Sequence, residues 1–122
     1  VTESTEPRRG EIWLASFGAA RRGEPGKNRP ALVVSVDELL VGAEHELIVV
    51  VPLSSSLASS RLRPPVVPGS GIDNDSAAVC RAVRGIARSR LLRRLGEAGA
   101  ETLAEVDAAL ATVLGLELAE GG

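Results

Sequence analysis

Two apolar runs that meet prolines constrain this chain most. Ala31 to Val36 is a largely β-branched stretch entered through Arg29-Pro30, and Leu47 to Val51 leaves through Pro52. Proline fixes φ and cannot donate to a ladder, so each run reads as a buried strand with a defined polar end. Those ends carry the chemistry. Gly23 to Pro30 is a Gly-rich, basic loop running into the first strand, and Leu53 after the second is followed by Ser54, Ser55 and Ser56. An arginine (Arg29), a carboxylate (Glu24) and a hydroxyl are thereby delivered to loop mouths. Rigid strands feeding polar loops are the usual way to build a site for a charged ligand.

The remaining sequence reads as short strands closed by one helix. Gly10 to Phe17 sets Ile12, Leu14 and Ser16 against Trp13, Ala15 and Phe17, as in a strand with apolar contact on both faces. Gly18 to Asn28 is a loop. Asp37 is expected to cap a short helical turn through Leu40, stopped by Gly42. Ser54 to Arg63 is a polar loop, and Pro64, Pro65 and Pro68 confine Val66-Val67 to a short edge strand. After a turn at Gly69 to Asn74, Ser76 to Val83 reads as a strand, interrupted at Gly85. Ala87 to Leu91 suggests one helical turn and Leu92 to Leu95 a last strand. Leu103, Val106, Leu110, Val113 and Leu114 then make the apolar stripe of an amphipathic helix within Gly99 to Leu116. The expected fold is α+β, mainly β: a small, strongly curved, barrel-like sheet with a C-terminal helix.

At 122 residues the chain fits one domain, expected to span residues 8–117, with flexible termini at 1–7 and 118–122. No apolar run reaches the length of a membrane span and the first residues lack a signal-peptide pattern, so a cytoplasmic, membrane-free protein is expected. The lone Cys80 excludes a disulfide framework and suits a reducing compartment. A single His and a single Cys do not make a zinc site, and no cofactor is expected. With Trp13 and Phe17 as its only aromatics, the chain lacks the rings of a base-stacking platform. The net charge of −2 hides a division: residues 1–96 carry +4 and residues 97–122 carry −6. All but one of the 14 cations are arginines, whose planar fork matches phosphate. The body is therefore a plausible binder of polyanions, and the tail is not.

Several segments resemble the MazF/PemK family of toxin ribonucleases. They are Arg9-Gly10-Glu11-Ile12-Trp13, Gly26-Lys27-Asn28-Arg29-Pro30-Ala31-Leu32-Val33-Val34, Val50-Val51-Pro52-Leu53-Ser54-Ser55, Asp75-Ser76-Ala77-Ala78-Val79-Cys80 and Ser89-Arg90-Leu91, with a closing helix near Leu114-Gly115-Leu116. They follow one consistent order over roughly residues 8 to 117. The resemblance implies an SH3-like barrel of the PemK/CcdB type. It also implies metal-independent, sequence-specific cleavage of single-stranded RNA, by attack of a 2′-hydroxyl that leaves a cyclic phosphate and a 5′-hydroxyl. Family members act as homodimers and are silenced by a cognate antitoxin whose acidic segment covers the RNA groove.

Carried onto this chain, the resemblance assigns Arg29 to the Arg-Pro arginine, Ser54 to the hydroxyl after Val-Pro-Leu and Glu24 to the glutamate of the first loop. Arg29 is expected to stabilise charge on the phosphorane, since a guanidinium gives up its proton unwillingly; the alternative is an ion pair with Glu24. Ser54 is expected to hold a phosphate oxygen or the attacking hydroxyl in place; alternatively it satisfies loop backbone. Glu24 either accepts the 2′-hydroxyl proton or orients Arg29. Its loop departs from the family at Arg22, Gly23 and Pro25. Arg22, Lys27, Asn28, Ser55, Ser56, Arg61, Arg81 and Arg84 are the expected RNA contacts, with Arg81-Ala82 in place of the family's usual Glu-Gln. Arg88, Arg93 and Arg94 are assigned to a solvated or dimer surface, His45 to an exposed loop and Cys80 to the core. The competing reading is a CcdB-like toxin that binds a protein such as DNA gyrase without catalysis, since fold alone does not fix function.

Overall fold

The computed structural model describes residues 6–18, 28–41, 46–67 and 71–117. The expected turn stop at Gly42 and the terminal segments 1–5 and 118–122 lie outside the described residues. Among the described residues seven strands and one α-helix follow in chain order: β1 (Glu11–Ser16), β2 (Asn28–Val33), β3 (Leu47–Ser54), β4 (Pro65–Val66), β5 (Ser76–Ala78), β6 (Arg84–Ala87), β7 (Leu91–Glu97) and α1 (Ala100–Leu114). All strand pairs are antiparallel, in the order β4-β5-β3-β2-β1-β7, and β6 also pairs with β3.

β3 is the hub. Its Leu47–Val50 half pairs with β6 and its Leu53–Ser54 end pairs with β5, while β2 occupies its other edge. One strand serving three partners bends the sheet into a curled half-barrel, buried on both faces. Ile12, Leu32, Val51, Leu53 and Val66 point to one side, where Val106 and Ala109 of α1 cover them. Trp13, Ala15, Ala31, Val33, Ile48, Val50, Ile86 and Leu91 form a second cluster on the other side. This two-sided burial is why these strands read as continuous apolar runs rather than alternating ones.

The helix follows its expected stripe with one exception. Leu103, Val106, Leu110 and Val113 pack on the core, but Leu114 is exposed and Ala109 takes part instead. Gly115, at φ +69°, ends the helix: its N–H and that of Leu116 donate to Thr112 and Ala111, closing a Schellman turn. Among the described residues no helix is long and apolar enough to cross a membrane.

Four boundaries differ from expectation. β3 runs on through Pro52 and Leu53 to Ser54, so Ser54 closes the strand rather than opening the loop. β2 begins at Asn28, so Arg29 and Pro30 lie inside the strand; Pro30 is tolerated because its partner there is Leu14 of β1, while the β2–β3 ladder ends at Ala31–Pro52. The expected strand Ser76–Val83 breaks after Ala78 into a 3-10 turn at Cys80–Ala82, and Gly85 sits within β6 rather than interrupting it. Asp37 opens the 3-10 turn Asp37–Leu39 without capping it, because its carboxylate accepts the Arg9 backbone N–H at 2.8 Å.

Candidate active site

The β2–β3 ladder pairs Val33 with Val50, Leu32 with Val51 and Ala31 with Pro52, and then stops. Pro30 lacks the N–H that would donate across to β3 at the next bonded pair, while the Pro52 carbonyl turns the other way and accepts from Val79. Two residues further along each strand stand Arg29 and Ser54, at matching positions of the same register. Alternation along each strand gives both the same face. Arg29 shares it with Ala31 and Val33, and Ser54 with Ile48 and Val50, all members of the second cluster. Arg84, opposite Val50, and Phe17, packed on that cluster, belong to this face as well. They also sit at one end of the strands, where β1 and β3 finish and β2 and β6 begin.

Arg29 is exposed, and no hydrogen bond or ion pair with another described residue occupies its side chain. Ser54 is 8% exposed. Its Oγ accepts the Ser56 backbone N–H at 3.2 Å and lies 3.1 Å from the Ser56 hydroxyl. The loop thus fixes the Ser54 oxygen, as the backbone-satisfying alternative requires, while its proton remains available to Ser56 Oγ or to a ligand oxygen. The two cation–π pairs form on the same side of the sheet. The Arg84 guanidinium lies 5.4 Å from the Phe17 ring centroid, and that of Arg88 lies 5.1 Å from Trp13. Arg84 is itself exposed, so one face of its guanidinium rests on Phe17 while the residue stays open to solvent.

The expected RNA contacts divide. Asn28, Ser55 and Ser56 are exposed around this end of the sheet, and Arg81 is exposed on the Cys80–Ala82 turn, which packs against α1. Arg61 lies elsewhere, lining a cavity of about 270 Å³ with Pro64, Glu105 and Thr112 beside α1. Glu24, Arg22, Lys27 and His45 lie outside the described residues. Among the arginines assigned to other surfaces, Arg94 donates to Glu11 at 2.7 Å and Arg88 packs on Trp13. Cys80 is buried in the core, and burial pushes its thiol up to about 11, so it is held as an inert thiol. Among the described residues no group of three or more His, Cys, Asp or Glu is placed to hold a metal ion.

Two supporting residues went unread in the sequence. Arg9 joins distant elements: its guanidinium donates to the Val34 carbonyl and pairs with Asp107 of α1. Glu11 accepts from the Arg8 backbone N–H, Trp13 Nε1 and Arg94 Nε. Burial alone would raise its pKa, but the hydrogen bonds from Trp13, Arg94 and Arg8 outweigh burial and hold the carboxyl below its usual range. Both residues lie in Arg9-Gly10-Glu11-Ile12-Trp13, so that motif works as scaffold for β1, which leads into Phe17.

Comparison with known proteins gives a consistent picture. Residues 8–114 match the family described as PemK-like, MazF-like toxin of type II toxin-antitoxin system. The chain is 37% identical over 108 residues to a Mycobacterium tuberculosis protein named Endoribonuclease MazF9, covering 84% of this chain and 92% of that protein. It is 31% identical to the probable endoribonuclease MazF of Mycolicibacterium smegmatis, covering 89% of this chain and 97% of that one. Among solved structures, the MazE-MazF crystal structure (Form-II) from Deinococcus radiodurans superposes with a TM-score of 0.77 at 26% identity, covering 94% of this chain and 100% of that one.

Proposed function

Because the chain belongs to the PemK-like, MazF-like toxins of type II toxin–antitoxin systems, we propose that it is a sequence-specific endoribonuclease that cuts single-stranded RNA without a metal and is neutralised by a cognate antitoxin. The observation that carries this reading is the placement of Arg29 and Ser54 at matching positions beyond the last β2–β3 pair. A 2′-hydroxyl attacking the neighbouring phosphorus needs its proton removed, the extra charge on the phosphorane stabilised and the departing 5′-oxygen protonated. Arg29, exposed and unpaired among the described residues, supplies the positive charge. Ser54, its oxygen fixed by Ser56, donates to a phosphate oxygen and keeps the reacting atoms in line. Glu24 takes the proton or orients Arg29. The products are a 2′,3′-cyclic phosphate and a 5′-hydroxyl.

Arg84, opposite Val50, and Arg81 meet the RNA backbone in this reading, and Asn28, Ser55 and Ser56 contact sugar or base. The relatives named as endoribonucleases and the antitoxin-bound relative from Deinococcus radiodurans support the nuclease and antitoxin parts of this reading. The active form is a homodimer. Exposed Val36, Leu39, Val41, Leu47 and Val49, where the segment after β2 meets β3, give an apolar surface that association would cover.

The test is incubation of purified protein with a mixed RNA pool in EDTA, beside Arg29→Ala. Cleavage to 5′-hydroxyl ends by wild type alone supports the assignment. Intact RNA with the wild type contradicts it and favours a toxin that acts by binding a protein.

A further inference from the structure

A second cleft adjoins this site, with a lining suited to a base rather than to a phosphate. It measures about 380 Å³ and lies between the loop after β3 and the β4–β5 hairpin. Leu57, Pro65, Val66 and Val67 form its apolar walls, and Ser55, Ser59, Ser76 and Asp75 its polar rim. The cleft touches the catalytic region through two residues. Ser55 follows Ser54, and Ser76 precedes Ala77, the β5 partner of Ser54.

The rim sets one carboxylate among hydroxyls. Asp75 makes no hydrogen bond or ion pair with another described residue, nor do the Ser55 and Ser59 side chains. Ser76 Oγ donates to the Asn74 carbonyl at 3.1 Å, which commits its proton and leaves its lone pairs outward. An ionised carboxylate only accepts hydrogen bonds and repels phosphate, so neither the RNA backbone nor an acidic peptide suits this rim. A flat ring between apolar walls suits it, provided its edge carries donors. Guanine alone among the four RNA bases offers two adjacent donors, N1–H and N2–H, on its Watson–Crick edge. Two carboxylate oxygens take that pair in bidentate fashion, while the free serine hydroxyls can meet O6.

We propose that this cleft holds a guanine of the RNA, read by Asp75, from a nucleotide close to the scissile phosphate. The proposal rests on the ribonuclease reading above and deepens it: Asp75 sets which sequences are cut, without taking part in the cutting. A bidentate contact of this kind discriminates against the wrong base by about ten- to a hundred-fold.

The experiment has two arms, each comparing wild type with Asp75→Asn and Asp75→Ala. One maps 5′ ends after cleavage of a randomised RNA pool. The other selects bound members of a randomised all-2′-deoxy pool, which the enzyme is unable to cut. Wild type should enrich guanine at one position about ten-fold or more in both arms. Both variants should lose that enrichment at that position only, with unchanged melting temperature because Asp75 is exposed. A wild type without guanine preference overturns the proposal, as does a preference that persists in both variants, whether or not they bind a protein partner less tightly. If wild type fails to cut RNA yet shows Asp75-dependent guanine enrichment in the uncuttable pool, the cleft assignment stands and the nuclease reading falls.

Discussion

Arg29 on β2 and Ser54 on β3 hold matching positions, each two residues beyond the Ala31–Pro52 pair and on one face of the sheet. The ladder ends there, with Pro30 lacking the next donor, so the guanidinium and the hydroxyl lie where the strands no longer bond to one another.

Arg29→Ala should lower RNA cleavage about 10²–10³-fold, the usual cost of removing one group that stabilises transition-state charge. The melting temperature should stay unchanged, since the side chain is exposed and makes no hydrogen bond or ion pair with a described residue. Arg29→Lys should recover part of the rate, because a point charge replaces the planar fork only in part. Single-turnover cleavage and thermal melts on the same preparations check this.

Ser54→Ala should cost about 1 kcal/mol of stability through its lost hydrogen bond with Ser56. Its cleavage rate should fall by about ten-fold or more, because the reacting atoms lose a positioning contact. Ser54→Thr keeps the hydroxyl and should retain most of the activity. Urea melts and rate measurements on both variants separate folding from catalysis.

Glu11 makes acid stability testable. Its folded pKa lies below its unfolded value, so its contribution is fully present above the unfolded value and is lost as pH falls through the folded one. Glu11→Gln should therefore lower stability near neutral pH and flatten the acid limb of the stability–pH curve. Chemical denaturation of both proteins between pH 3 and 7 (about the range in which carboxylates titrate) reads the difference.

What sequence revealed and what it withheld have physical causes. Arg29 and Ser54 stood out because proline leaves a local mark near the point where two strands stop pairing, and the helix because its stripe repeats every turn. The Arg9–Asp107 ion pair joins residues 98 apart, and no local pattern announces such a contact. The break after Ala78 was equally hidden: apolar Val79-Cys80 continues the strand pattern, yet the Cys80–Ala82 turn packs against α1 instead of extending the ladder. Leu114 keeps the helical period but is exposed and stands outside the core cluster, so spacing alone placed it wrongly.

Gly71 is a position that only glycine fills. Its φ is +98°, and a Cβ built there would lie 2.2 Å from the Leu95 carbonyl oxygen of β7. The backbone conformation alone should cost Gly71→Ala about 1–3 kcal/mol, and the clash with a main-chain atom adds to that. A melt showing no loss would contradict this close approach.

The central claim is that Arg29 and Ser54 act on the same phosphodiester, and a double-mutant cycle on cleavage in EDTA tests it most directly. If they share one transition state, Arg29→Ala/Ser54→Ala should lose clearly less activity than the product of the two single losses. Strictly multiplicative losses, or full activity in Arg29→Ala, would contradict the account.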